Sequence, residues 1–183
     1  MRVIAGKARS LKLKTPEGEH TRPTTDRIKE TLFNMLQSYL PNAVFIDLFS
    51  GSGGIGIEAL SRGAVHAYFV DNNKQAVDCI TDNLKFTKLT EQATVLRQDV
   101  LSALDSIHEK EADIIFMDPP YHVGYEKQVL QCLSSKCYVT DRTMLVIEAG
   151  LNMDFSYVEQ LGYQIEKEKR YKTNKHIFLR KTF

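Results

Sequence analysis

The sequence predicts an α/β fold built on a mainly parallel, doubly wound sheet. Three observations carry that prediction. From residue 43 onward, short apolar runs of strand length alternate with segments of helical periodicity. Four of those runs end in an aspartate or lead straight into one: Asp47, Asp71, Asp99 and Asp118. The alternation then stops, and two strand-like segments, 163–171 and 176–181, follow one another across Thr173-Asn174-Lys175 as an antiparallel hairpin. The chain has 183 residues, 43% hydrophobic and 26% charged. That is single-domain size and globular composition, which excludes long disorder, collagen and low complexity.

The elements follow in order. Residues 2–15 read as two short strands around Gly6-Lys7-Ala8. In the second strand, leucine and lysine alternate over 11–14, which places Lys12 and Lys14 on one face. Residues 16–24 are turn-rich, with Pro16, Gly18 and Pro23. A helix over 25–39 is expected from the spacing of Ile28, Leu32, Met35, Leu36 and Tyr39. Thr24, Thr25 and Asp26 offer N-caps, and Pro41 marks the stop. Residues 1–40 thus form an extension, a small hairpin plus a helix, and 41–183 form the core.

The core opens with 43–49, a nearly continuous apolar run of the kind expected when both strand faces are covered. A Gly-rich turn leads into a helix over 55–61. Strands at 66–71, 93–99, 112–118 and 143–149 alternate with helices at 74–86, 100–109 and 125–134. A short helix at 155–161 precedes the hairpin. The count is seven strands, mainly parallel.

No apolar run approaches the roughly 18 residues of a membrane helix. The first residues lack the apolar stretch of a signal peptide. Cys79, Cys132 and Cys137 have no CxxC spacing and read as small core residues. His20, His66, His108, His122 and His176 show no ligand spacing. A metal site and a disulfide framework are therefore not expected, and a reduced cytoplasmic protein is.

The net charge is +1, which alone argues against a nucleic-acid partner. The average conceals a partition. Residues 1–30 carry eight basic and four acidic side chains, and residues 163–183 carry seven and two. The middle holds nine and seventeen. Basic ends around an acidic centre point to a polyanion partner.

Gly51, Gly53 and Gly56 satisfy G-x-G-x-x-G, and Asp71 lies twenty positions after Gly51. Taken alone, that is the dinucleotide fingerprint of an NAD-dependent dehydrogenase. Asp47 argues otherwise, because a carboxylate just before the turn would repel a pyrophosphate. It suits a cationic ligand such as S-adenosylmethionine, which has a sulfonium, an ammonium and no phosphate. Asp99 could take the exocyclic amine of an adenine. After the fourth strand comes Asp118-Pro119-Pro120-Tyr121. The prolines stiffen the turn and leave carbonyl oxygens without competing local N–H groups. An amine on a base is a poor nucleophile, since its lone pair is delocalised into the ring. A carboxylate and a carbonyl accepting its hydrogens free that pair. An adjacent aromatic ring can stack on a flipped base, worth about 1–3 kcal/mol.

The pattern D-x-F-x-G-S-G-x-x-G followed by DPPY resembles the Rossmann-like S-adenosylmethionine methyltransferases that act on exocyclic amines. The stretches at 2–9 (RVIAGKAR) and 22–34 (RPTTDRIKETLFN) narrow the resemblance to the RsmD family, bacterial 16S rRNA guanine-N2 methyltransferases. The similarity covers essentially the whole chain. The resemblance implies that Asp47, Ser50, Gly51 and Gly53 line the methionine part of the cofactor. It implies that Asp71 holds the ribose, with Asn72 beside the adenine and Asp99 at its amine. Arg22, Pro23 and Thr24 would close the cofactor site, and Asp118, Pro119, Pro120 and Tyr121 would hold the guanine. The target implied is guanine 966 of 16S rRNA, met by a monomer within an assembling 30S subunit. Lys7, Arg9, Lys12 and Lys14 are expected to grip the rRNA backbone near the catalytic edge. A DNA adenine-N6 methyltransferase shares DPPY-type loops, but it usually carries a target-recognition insertion for which this chain has no room. A non-catalytic RNA-binding assembly chaperone would be expected to lose the acidic strand ends.

Overall fold

Residues 1–16, 26–120 and 124–182 are described by a computed structural model of the chain. Arg22, Pro23, Thr24, Tyr121, His20 and His122 lie outside the described residues, as does most of the turn-rich segment. Among the described residues, seven strands form one sheet: β1 Val44–Leu48, β2 His66–Val70, β3 Ala93–Leu96, β4 Ile114–Met117, β5 Met144–Gly150, β6 Tyr163–Arg170 and β7 Asn174–Lys181. Their order is β3-β2-β1-β4-β5-β7-β6. The first five are mutually parallel; β7 runs antiparallel to both β5 and β6.

Among the described residues, five α-helices cover the two faces: α1 Asp26–Leu36, α2 Gly54–Ser61, α3 Lys74–Thr87, α4 Val100–Ala103 and α5 Tyr125–Ser134. Successive residues of a strand point to opposite faces. Phe45 and Phe116 therefore pack with Leu32, Phe33, Ile57 and Ile80 of α1, α2 and α3. Ile46 and Ile115 pack with Val100, Ala103, Leu130 and Leu133 of α4 and α5. Both faces of β1 are thus covered, which is why its sequence reads as an unbroken apolar run.

The N-terminal segment folds back on itself as the expected small hairpin. Its arms meet in one antiparallel bridge, Arg2 to Lys12, and the N–H groups of Val3, Ser10 and Leu13 donate across it to the carbonyls of Leu11, Val3 and Met1 at 2.9, 2.8 and 3.0 Å, although neither arm extends into a regular strand. Other donors of the segment reach α2. The N–H groups of Ile4 and Ala5 donate to the Glu58 carboxylate at 2.8 and 3.1 Å. Those of Lys7 and Ala8 donate to the Ser61 carbonyl and hydroxyl at 2.9 and 3.0 Å. Gly6 sits at φ +83°, and a Cβ there would meet the Ser61 carbonyl oxygen at 1.8 Å, so only glycine allows this approach. The expected alternation nevertheless holds, with Leu13 buried and Lys12 and Lys14 exposed. Beneath the segment lies a buried ion cluster. Lys29 Nζ stands 3.3 Å from Glu58 Oε2, with both side chains wholly buried, and Arg62 Nε donates to Glu58 Oε1 at 2.7 Å. Burial pulls the Lys29 ammonium below the ordinary lysine range, against the attraction of Glu58.

Smaller differences have local causes. α1 ends at Leu36 and tightens into a 3-10 turn, Gln37–Tyr39. β3 stops at Leu96, and Asp99 becomes the N-cap of α4, its Oδ1 accepting from the Leu101 N–H at 3.0 Å. α4 spans four residues rather than ten, because the N–H groups of Asp105 and Ser106 bond three residues back instead of four. β4 starts at Ile114, since Asp113 turns out to accept from the Val44 N–H at 2.8 Å. The short helix near 155–161 is a 3-10 helix, Ser156–Leu161. The final turn closes from Tyr171 to Asn174, two residues earlier than expected, through a 2.8 Å bond from the Tyr171 N–H. Cys79 is buried, Cys132 is half-buried, and Cys137 is exposed rather than in the core. Among the described residues, no helix is long and apolar enough to cross a membrane, and no group of His, Cys, Asp and Glu could hold a metal ion.

Candidate active site

Strand order reverses between β1 and β4, so the carboxyl ends of these two strands flank the crevice where ligands bind in such sheets. The Gly-rich turn leaves β1 through Phe49, a left-handed residue at φ 64°. Ser50 then ties the turn to two strands. Its hydroxyl donates to the Asp47 carbonyl at 2.6 Å and accepts from the Val70 N–H at 2.9 Å. Asp47 is buried, and its Oδ2 accepts from the Gly56 N–H at 3.0 Å. Burial pushes this carboxyl up to about 7, with Asp71 adding to the rise and the Gly56 N–H opposing it. Asp47 therefore clamps the turn onto the start of α2, a role that charge alone did not indicate.

Gly51 donates its N–H to Asp71 Oδ2 at 2.9 Å, and the Asn73 N–H donates to Asp71 Oδ1 at 2.9 Å. A Cβ built on Gly51 (φ +55°) meets nothing within 4 Å among the described residues, which leave the tip of the turn open. Gly53 takes φ +76° and caps α2. A Cβ on Gly56 would fall 2.4 Å from the Phe69 ring, so this glycine serves close packing of α2 on β2. Asn72 is exposed beside Asp71. Asp99 is exposed too, and its Oδ2 accepts from the Tyr125 hydroxyl at 2.6 Å. That bond is the main cause pushing the Tyr125 hydroxyl up to about 12. The Tyr125 ring stands edge-on to Phe49, with centroids 5.7 Å apart. Sequence reading missed this aromatic pair; an aromatic at the start of the helix after DPPY was the available signal.

On the other side of the crevice, Asp118 is half-buried, Pro119 buried and Pro120 exposed. Met117 pairs with Ile147, so Asp118 and Glu148 are the next residues along neighbouring strands. Burial, then Glu148, then Asp47 push the Asp118 carboxyl up to about 8. Glu148 is itself buried. It accepts from Asn174 Nδ2, and its Oε2 lies 3.2 Å from His176 Nε2. His176 Nδ1 lies 3.1 Å from the Tyr171 hydroxyl. Among the described residues, Asn174 Oδ1 is buried without a hydrogen-bond partner. This Glu148–Asn174–His176–Tyr171 group was not anticipated. Glu148 had a signal, a lone acid near the end of an apolar strand. His176 and Asn174 had none, because their place depends on the register between β5 and β7.

Of the four N-terminal cations, Lys7 is placed less favourably. Lys7 Nζ donates to Gln92 Oε1 at 3.0 Å, just before β3 and therefore at the amino end of that strand, away from the crevice. The expectation that it stands near the catalytic edge is not met, because the segment follows α2 down to Ser61. Arg9 is exposed. Lys14 pairs with Asp82 at 2.8 Å, and Lys12 and Lys14 line a surface pocket of about 260 Å³ with Asp82, Asn83 and Phe86 of α3.

Comparison with known proteins places this arrangement. A protein-family profile described as conserved hypothetical protein 95 matches residues 1–180. The ribosomal RNA small subunit methyltransferase D of Haemophilus influenzae is 36% identical over 150 residues, 81% of this chain and 78% of that protein. YlbH of Bacillus subtilis, a candidate rRNA methyltransferase, is 41% identical over 81% of this chain and 82% of its own length. Among solved structures, yhhF of Escherichia coli, a candidate methyltransferase, superposes with a TM-score of 0.83 at 28% identity, covering 100% of this chain and 98% of that one. The fold is the Rossmann-like fold of methyltransferases.

Proposed function

The chain belongs to the RsmD family, and from that premise we propose that it is an S-adenosylmethionine-dependent methyltransferase acting on the exocyclic N2 amine of a guanine in 16S rRNA. The observation that carries this reading is the placement of Asp118-Pro119-Pro120 directly across the strand-order reversal from the glycine turn. Guanine 966, reached within an assembling 30S subunit by a monomeric enzyme, is the target that the resemblance implies.

The residues present fit the cofactor. Asp47, Asp71 and Asp99 stand at or just beyond the carboxyl ends of β1, β2 and β3, and no lysine or arginine occurs between 47 and 56. The open space at Gly51 leaves room for a ligand to approach the backbone closely. Ser50, Gly51 and Gly53 would hold the methionine portion, Asp71 the ribose, and Asn72 and Asp99 the adenine. Arg22, Pro23 and Thr24 would close over it. When bound, S-adenosylmethionine supplies an electrophilic methyl group on a sulfonium.

The chain's own groups prepare the nucleophile. Asp118 and the Pro119 and Pro120 carbonyls accept the hydrogens of the guanine amine, which frees its lone pair and aims it. Tyr121 stacks on the base. Transfer is direct, with no covalent enzyme intermediate, and Asp118 is the acceptor for the proton the amine loses. The test is methyl transfer to 30S particles and to naked 16S rRNA, with the product located by mass spectrometry. N2-methylguanosine is expected, and Asp118→Ala should lose transfer while retaining cofactor binding. Methylated adenine in DNA would assign the chain to the DNA enzymes instead. Tight binding of NAD without S-adenosylmethionine binding would make it a dehydrogenase.

A further inference from the structure

The β6–β7 hairpin carries a charge pattern that the chemistry above does not use. Directly opposed residues of paired strands project to the same face of a sheet. Glu148 pairs with His176, and His176 pairs with Lys169. One row therefore runs from the Asp118 side of the crevice through Glu148 and His176 to Lys169. Lys167 pairs with Phe178, two residues from His176, and so stands on the same face.

A β-bulge sets this alternation. Ile165 pairs with Leu179 and Lys167 with Phe178, so Glu166 is the extra residue. In an unbulged strand, Glu166 would oppose Phe178 and Glu168 would oppose His176, which would put glutamates on the Asp118 face. The bulge shifts the register by one and presents lysines there. The displaced acids are consumed by other cations. Glu166 pairs with Arg180 at 2.9 Å, and Glu168 pairs with Arg170 and Lys175 at 2.9 and 3.6 Å. Lys167, Lys169 and Lys172 are exposed, and among the described residues none of them forms an ion pair.

We propose that Lys167 and Lys169, continued by Lys172 in the turn, form a phosphate-binding track for the single-stranded RNA that flanks the target base. This rests on the reading of the substrate as rRNA. From β4 to β6 is three strand spacings, about 14 Å, the span of a few nucleotides. His176 and Glu148 are buried, so a backbone held by the exposed lysines would pass over them and deliver its base to Asp118. The track supplies at the carboxyl edge the positive charge that Lys7 does not.

The variant to test replaces all three with glutamine: Lys167→Gln, Lys169→Gln and Lys172→Gln. Its control removes three exposed lysines elsewhere, by Lys88→Gln, Lys110→Gln and Lys127→Gln. Equilibrium binding of naked 16S rRNA is measured across salt concentrations, beside steady-state transfer and cofactor binding. The track variant should raise KM for RNA about tenfold near physiological salt, with kcat and cofactor affinity unchanged. Losing three contacts at about 0.7 each should flatten the slope of log K against log salt by about 2. The control should change neither quantity. An unchanged slope and KM in the track variant, or an equal loss in the control, overturns the track. A wild-type protein that binds rRNA through these lysines but methylates no guanine overturns the proposed function and leaves the track standing.

Discussion

Glu148→Gln should move the acid limb of the pH–rate profile to lower pH. The Asp118 carboxyl is held at about 8 by burial first, then by Glu148, then by Asp47. An acceptor for amine hydrogens must be ionised. At pH 7, an acid of pKa about 8 is ionised in roughly one molecule in ten. In the wild type, kcat/KM should therefore rise about tenfold per pH unit up to pH 8 and level off above it. The sign for the variant follows from charge. A neighbouring negative charge raises a carboxyl's pKa, so neutralising Glu148 lowers it, while burial and Asp47 remain. Two carboxylates about 5 Å apart on adjacent strands, at an effective dielectric of about 20, interact by roughly 3 kcal/mol, which solvent screening reduces to a shift of about 1–2 units. Glutamine keeps hydrogen-bonding groups for Asn174 and His176, the groups that face Glu148 from β7, and Tyr171 meets it through His176. The assay is kcat/KM against pH with both substrates below saturation, at constant ionic strength, because that ratio reports groups of the free enzyme. The variant's rate at pH 6.5, relative to its own alkaline plateau, should exceed the wild-type ratio about tenfold. A limb that stays in place, or moves to higher pH, would refute the coupling of Glu148 to Asp118, even if absolute rates fell.

Two further outcomes concern the scaffold. Glu58→Gln strands Lys29 as a buried cation and weakens the cap on the Ile4 and Ala5 N–H groups; it should cost about 3–5 kcal/mol, read from urea unfolding, with faster amide exchange over residues 4–8. Gly56→Ala drives a methyl toward the Phe69 ring, 2.4 Å away; the overpacking should cost about 1–3 kcal/mol and weaken cofactor binding measured by calorimetry, because Asp47 takes its hydrogen bond from the same residue.

What the sequence reveals of this molecule divides by the range of the interactions involved. The alternating core is legible because each strand and helix declares itself by local periodicity, and because acids recur where strands end. Asp47, Asp71, Asp99 and Asp118 all fall at one edge for that reason. The N-terminal hairpin is legible in its alternation, but not where it docks, because its backbone is also bonded to Glu58 and Ser61, more than fifty residues away. The Asp118 neighbours on the hairpin are hidden for a related reason. Whether His176 meets Glu148, and whether Lys169 or Glu168 shares the Asp118 face, depends on a turn that closes at Asn174 and on one extra residue at Glu166. Composition marks that end of the chain as basic. Only the register decides that the basic residues are the ones aligned with the crevice, and that decision turns a charge excess into a surface with a direction.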